Sequence, residues 1–183
     1  MALTLEQNPD PIYPANILEE PINETTWWVA HTKSRREKTL AKFLSAKGIG
    51  YYLPLIKKRQ ASHKRERYSF MPLFSGYMFF KGSREDRYEA FTSNQIAQVI
   101  EVRDQDMLLG EMARAQKALS IDGPVYPYDF LAKGQRVKVQ FGPMKGVEGI
   151  ITDKKGRYRL VLNVTTISQS FAIDVEADMV EAI

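Results

Sequence analysis

The chain has 183 residues, of which 44% are hydrophobic and 26% charged, with a formal net charge of +4. That length accommodates one domain of middling size or two small ones, and the composition is globular rather than fibrous or disordered. Cysteine is absent and only His31 and His63 represent histidine, which excludes disulfides, thiol catalysis and Cys-ligated metal clusters and leaves little for a His-rich metal site. No apolar run reaches the ~18 residues needed to span a bilayer. Five acidic residues precede the first basic one, Lys33, the reverse of a secretory leader. These features point to a soluble cytoplasmic protein that is not an enzyme and carries no cofactor.

The charge is unevenly spread. Residues 1–26 carry a net −5, residues 33–67 a net +10, and the remainder is nearly neutral. A basic stretch of that density suits phosphates. Its plainer reading is a solvated helix face followed by a charged hairpin.

In chain order, residues 1–26 read as a disordered acidic tail, because Pro9, Pro11, Pro14 and Pro21 interrupt any helix and apolar periodicity is weak. Order is expected from Trp27, where Trp27–Thr32 has strand length and strand composition. Ser34, Arg35, Arg36 and Glu37 have the spacing of a capping box. Leu40, Ala41, Phe43 and Leu44 follow at helical spacing, with Gly48 as the stop. Tyr51–Ile56 and Tyr68–Phe74 flank the basic segment 57–67 as a long hairpin with a mobile tip. Gly76–Phe80 is a further strand, Ser83 caps a short helix bearing Tyr88 and Phe91, and Gln98–Val102 returns as a strand. A helix from Asp104 or Asp106 places Leu108, Met112, Ala115 and Leu119 on one face. The expected class is therefore α+β: a sandwich with a mainly antiparallel sheet over 27–120.

Pro124, Pro127 and Gly134 mark a linker at 121–133. Beyond it the pattern changes to about five short strands over 134–183, which fits a small closed SH3-like barrel. Its turn Gly142, Pro143, Met144, Lys145, Gly146 is followed by Gly149, where a missing side chain lets neighbouring backbone approach.

The segment Val137–Ile151, containing that turn, resembles the KOW motif. Trp27-Trp28-Val29 ahead of a helix, then Tyr52-Leu53-Pro54-Leu55, then Pro72-Leu73-Phe74-Ser75-Gly76-Tyr77-Met78-Phe79-Phe80, resembles the N-terminal domain of the NusG family, with Ser75 where a proline is usual. The short hairpin and compact linker are more similar to specialised, RfaH-like paralogues. The resemblance implies a monomeric transcription elongation factor. Its first domain would bind the clamp helices of the RNA polymerase β′ subunit, reach toward the β subunit, and modulate pausing or termination, as in antitermination. Its KOW domain would recruit a further partner, such as a small-subunit ribosomal protein or Rho.

On this resemblance Phe74, Ser75, Tyr77 and Phe79 line the polymerase-binding surface, His31 borders it, and Arg87 and Tyr88 lie where a β-subunit contact occurs in RfaH-like paralogues. Lys33, Arg35 and Arg36 are candidates for non-template DNA, since cations in a first helical turn oppose the helix dipole and call for an external anion. The alternative is a ribosome-associated or RNA-binding KOW protein using Lys154, Lys155, Arg157 and Arg159. Enzyme readings find no support: Asp104 and Asp106 fit a helix cap better than a metal pair, and no Walker, dinucleotide or nucleophile-elbow spacing occurs.

Overall fold

A computed structural model of the chain describes residues 8–60, 67–121, 123–131, 133–154 and 156–183. The hairpin tip, Glu6 of the acidic tail and Lys155 therefore lie outside the described residues. The chain divides into two compact units, the first ending at Gln105 and the second beginning at Asp106. Both are built on antiparallel ladders, which makes the class α+β as expected. No described helix is long and apolar enough to cross a membrane.

The first unit contains β1 (Ile12–Tyr13), β2 (Thr26–Thr32), α1 (Glu37–Ala46), β3 (Gly50–Tyr52), β4 (Leu55–Gln60), β5 (Arg67–Pro72), β6 (Tyr77–Gly82), α2 (Arg84–Thr92) and β7 (Ile96–Glu101). Five strands form one sheet in the order β1-β3-β6-β2-β7, while β4 and β5 pair only with each other. The expected run 51–56 divides at Leu53-Pro54, because proline has no N–H to continue a ladder. On one face of the sheet Trp28, Ala30, Met78 and Phe80 pack with Leu40 and Leu44 of α1 and Ala90 of α2, where Phe43 is only partly buried. Removing such side chains from water is worth roughly 1.5–3 kcal/mol each.

Helix α1 ends as its sequence indicates. Gly48 adopts φ +71° and Ile49 N–H donates to Leu44 O at 2.9 Å, the long bond of a Schellman stop. Its start differs from expectation. The N-cap is Arg36 with no side-chain cap, Arg35 sits at φ +59°, and Glu37 turns away to another partner. Ser83, in contrast, forms a reciprocal capping box with Asp86 at the start of α2.

The acidic tail is also corrected. Residues 8–26 are built into the first unit: Ile12 and Tyr13 pair with Tyr52 and Tyr51, Leu53 N–H donates to Pro11 O at 2.7 Å, and Ile17 is only 1% exposed. The buried Lys81 ammonium donates to Pro21 O at 3.0 Å and faces the Glu20 carboxylate at 3.4 Å. Prolines that forbid a helix are compatible with an edge strand, and the short apolar set finds its complement only once β3 exists.

The second unit holds nearly all of α3 (Gln105–Leu119), then β8 (Val125–Asp129), β9 (Gln135–Val139), β10 (Glu148–Lys154), β11 (Arg157–Val164), β12 (Gln169–Val175) and β13 (Val180–Ala182). Its sheet runs β13-β9-β10-β11-β12-β8, the five strands expected over 134–183 with β8 added from the residues before them, and no described ladder joins β13 to β8. The expected linker contains β8, whose five residues pair with β12; the Tyr126 hydroxyl and the Arg159 guanidinium both reach the Asp174 carboxylate, at 3.2 Å each. Helix α3, expected with the first domain, clusters with these strands. Its buried Glu111 carboxylate accepts from the Thr165 backbone N–H at 3.0 Å and hydroxyl at 2.7 Å. Hydrophobic spacing marks a helix face without naming what that face meets.

Candidate functional site

The end of β2 positions the most telling group of residues. His31 lies opposite Tyr77 of β6, and their rings stack with centroids 4.9 Å apart and planes 19° from parallel. The ladder between β2 and β7 is irregular between His31 and Thr32. Beyond it Thr32 N–H donates to Gly76 O and Lys33 N–H to Gln95 O, both at 2.8 Å. This pins the start of the basic turn to two neighbouring segments.

Ser75 and Gly76 form the turn into β6, closed by Tyr77 N–H on Phe74 O at 3.1 Å. Gly76 takes φ +83°, the left-handed value that the third residue of a type II turn requires. The buried carboxylate of Glu37 accepts the Gly76 N–H at 2.7 Å. A charge-assisted bond of this kind anchors the turn against α1 without the usual proline at position 75.

Side-chain alternation sorts the expected surface residues onto two sides of the sheet. His31, Tyr77 and Phe79 share one face with Trp27, Val29 and Tyr52. Arg87 and Tyr88 belong to α2, which packs on the other face; Arg87 lies 5.2 Å from the Trp28 ring and Tyr88 is 71% exposed. These two groups are not brought together.

Phe74 and Phe79, expected to line the polymerase-binding surface, are buried in this structure. They are 1% and 0% exposed and meet edge to face at 6.1 Å, with Tyr52 stacked on Phe79 at 6.2 Å. What presents itself to a partner from this set is the half-buried His31–Tyr77 stack and exposed Ser75. Two buried polar groups on the same face, Trp27 Nε1 and Tyr52 Oη, have no hydrogen-bond partner among the described residues. Burial drives the Tyr52 phenol pKa upward.

Lys33, Arg35 and Arg36 are all exposed beside the stack, and the Lys33 ammonium donates to Asn94 Oδ1. None of the three has a carboxylate partner among the described ion pairs. Asn94, at φ +59°, and Gln95 are contacts that sequence spacing did not reveal; the ladder irregularity after His31 brings them alongside.

In the second unit, Gly142 and Gly146 take φ +79° and +85°, and Lys145 N–H donates to Gly142 O at 3.1 Å. Met144 is 4% exposed, so its thioether fills the small core, while Phe141 beside the turn is 65% exposed. At Gly149 a Cβ would lie 2.7 Å from Val161 O, the close approach expected of that glycine. Of the alternative RNA-binding cluster, Arg159 is engaged internally, its guanidinium 4.3 Å from the Tyr126 ring and bonded to Asp174.

Among the described residues no three His, Asp or Glu side chains gather to hold a metal. Fold and site together define an α+β protein whose prominent features are a stacked aromatic pair and a basic turn, the elements of a binding surface. The family model for the transcription termination factor nusG matches residues 25–117, just over half of the chain, and the chain belongs to the NusG family of transcription elongation factors. The solved structure "Crystal Structure of MjSpt4:Spt5 complex conformation B" matches 86% of this chain and 97% of that one, at 17% identity and a TM-score of 0.29. No curated protein shows significant similarity to the chain.

Proposed function

We propose that the protein binds RNA polymerase at the β′ clamp helices through the surface around His31, Ser75 and Tyr77, and modulates pausing or termination by favouring one clamp state. Tyr88 and Arg87, on the opposite side of the sheet, would reach the β subunit. Lys33, Arg35 and Arg36 would hold the non-template strand, and the KOW-like second unit would recruit a further partner such as a ribosomal protein or Rho. The observation that carries this reading is the His31–Tyr77 stack, reached by the turn that the Glu37–Gly76 bond orders and followed in the chain by Lys33, Arg35 and Arg36, exposed cations with no carboxylate partner among the described ion pairs. Binding accelerates or slows elongation only through differential affinity for the two clamp states.

The test is affinity purification of the full chain from a bacterial lysate, with and without nuclease. Polymerase subunits retained after nuclease treatment support the reading; ribosomal RNA and ribosomal proteins alone would support the ribosome-associated alternative. Interface hot spots cost about 2 kcal/mol or more on truncation, so His31→Ala with Tyr77→Ala should weaken polymerase binding at least ~30-fold. Far-UV circular dichroism should be unchanged. Wild-type affinity in the folded double variant would remove the site.

A further inference from the structure

The second unit contains a cavity of about 340 Å³ between α3 and one face of its sheet. The strand register builds the wall on the sheet side. Arg136 of β9 lies opposite Ile150 of β10, and Ile150 lies opposite Val161 of β11. Residues paired directly across an antiparallel ladder share a face, so this row passes from a cation to apolar ground. Val161 is buried and Ile150 half-buried, whereas Arg136 is exposed. The apolar wall is thus the inner part of the cavity, and the cation stands toward solvent.

Two further cations line the cavity from other segments. Arg114 of α3 follows one helical turn after Glu111, whose carboxylate accepts the Thr165 backbone N–H and hydroxyl. Residues three apart share a helix face, so the bond that fixes Glu111 also sets Arg114 against the sheet. Lys133 comes from the segment before β9. A Cβ at Gly134 would lie 2.5 Å from Ile150 Cγ2, so this segment rests directly on the apolar wall. Asn163 Nδ2 donates to Leu131 O at 2.9 Å and holds the same segment to β11. The two acids that line the cavity are already engaged: Glu111 with Thr165, and Glu148 with Arg136 and Lys138, each at 3.5 Å. Arg114 and Lys133 have no carboxylate partner among the described ion pairs.

We propose that this cavity binds a nucleoside phosphate, with the phosphate on Arg114 and Lys133 and the nucleoside against Ile150 and Val161. A phosphate presents several anionic oxygens, which suit a planar guanidinium fork from one segment and an ammonium point charge from another. The apolar wall calls for a ligand with a body as well as a charge. At about 340 Å³ the cavity is at the small end of ligand pockets, roughly 300–1,000 Å³, which fits one nucleotide rather than a chain of them. The site lies in the second unit and does not depend on the proposed polymerase contact through His31 and Tyr77.

The experiment is isothermal titration calorimetry of the full chain with GDP and with ADP, and with inorganic phosphate and guanosine as separate ligands. Saturable one-to-one binding of a nucleoside diphosphate is expected, at least ~10-fold tighter than either fragment, since each fragment forfeits the charged or the apolar contacts. Arg114→Gln with Lys133→Gln should weaken that binding at least ~10-fold, because both charge-assisted bonds are lost. Lys42→Gln with Lys117→Gln removes the same charge from exposed positions away from the cavity and should leave binding unchanged. Unaltered affinity in the Arg114/Lys133 variant with its native circular dichroism spectrum would overturn the proposal. So would an equal loss in the control, inorganic phosphate binding as tightly as the diphosphates, or no saturable binding of either nucleotide.

Discussion

Glu37 Oε1 accepts the backbone N–H of Gly76 at 2.7 Å, tying the first residue of α1 to the turn that leads into β6. Spacing assigned Glu37 to a capping box with Ser34, and the three-residue interval is indeed right for one. The box does not form because Arg35 takes a left-handed conformation and the carboxylate finds a part-buried donor 39 positions away. A long-range partner outcompeted a local one. The same turn carries Ser75 and precedes Tyr77, so the bond orders the proposed binding surface.

Glu37→Ala should lower stability by about 1.5–3 kcal/mol, the range for a hydrogen bond to a charged group. Urea denaturation monitored by tryptophan fluorescence measures this, since Trp27 and Trp28 lie in the same sheet. A midpoint equal to wild type would show that the Gly76 N–H finds another acceptor.

Gly149→Ala should destabilise the second unit by roughly 2 kcal/mol or more, the upper part of the range for overpacking. The new methyl group would meet the Val161 carbonyl at 2.7 Å and the Leu160 and Leu162 side chains at 2.8 and 2.9 Å; side chains can yield, but the paired backbone of β11 cannot. Gly142 and Gly146 instead have open space around a Cβ and are constrained by positive φ alone, so alanine there should cost less, about 1 kcal/mol. Thermal melts of the three variants test the ranking, and an equal loss at all three positions would contradict it.

Alkali should weaken the first unit. Burial, with the Asp10 carboxylate adding to it, pushes the Tyr51 phenol up to about 12, and burial raises Tyr52 as well. The unfolded chain releases these protons near pH 10 while the folded chain retains them. The stabilisation is therefore complete below about pH 10 and is lost as pH rises toward 12. Tyr51→Phe with Tyr52→Phe should flatten the decline of the urea midpoint between pH 10 and 11.5. A decline as steep as wild type would assign the alkaline sensitivity to other groups.

Much of the local order was legible from residue order. The 27–32, 76–80 and 98–102 strands, the Ser83 cap, the Gly48 stop and the positive-φ glycines of the 142–146 turn follow from alternation, side-chain capping chemistry and the absence of a Cβ. These are effects of a few neighbouring residues, so neighbouring residues suffice to read them. The family, too, was recognisable from stretches such as Pro72–Phe80, because that run of residues is distinctive.

Partnership across long separations was not legible. Whether Phe79 and Tyr77, two positions apart on one face, end as core and rim depends on what each meets: Phe79 is sealed between Tyr52 and Phe74, while Tyr77 rests on His31 near the sheet's end. The proline-rich start of the chain lacks a periodicity of its own, yet β3 provides an open edge that Ile12 and Tyr13 complete. Residues 125–129 look like linker until β12 offers five partners and Asp174 binds Tyr126. A hydrophobic pattern records that a surface must be covered; which surface covers it is settled only when distant segments compete for the same contacts and the combination burying most while leaving fewest polar groups unpaired prevails.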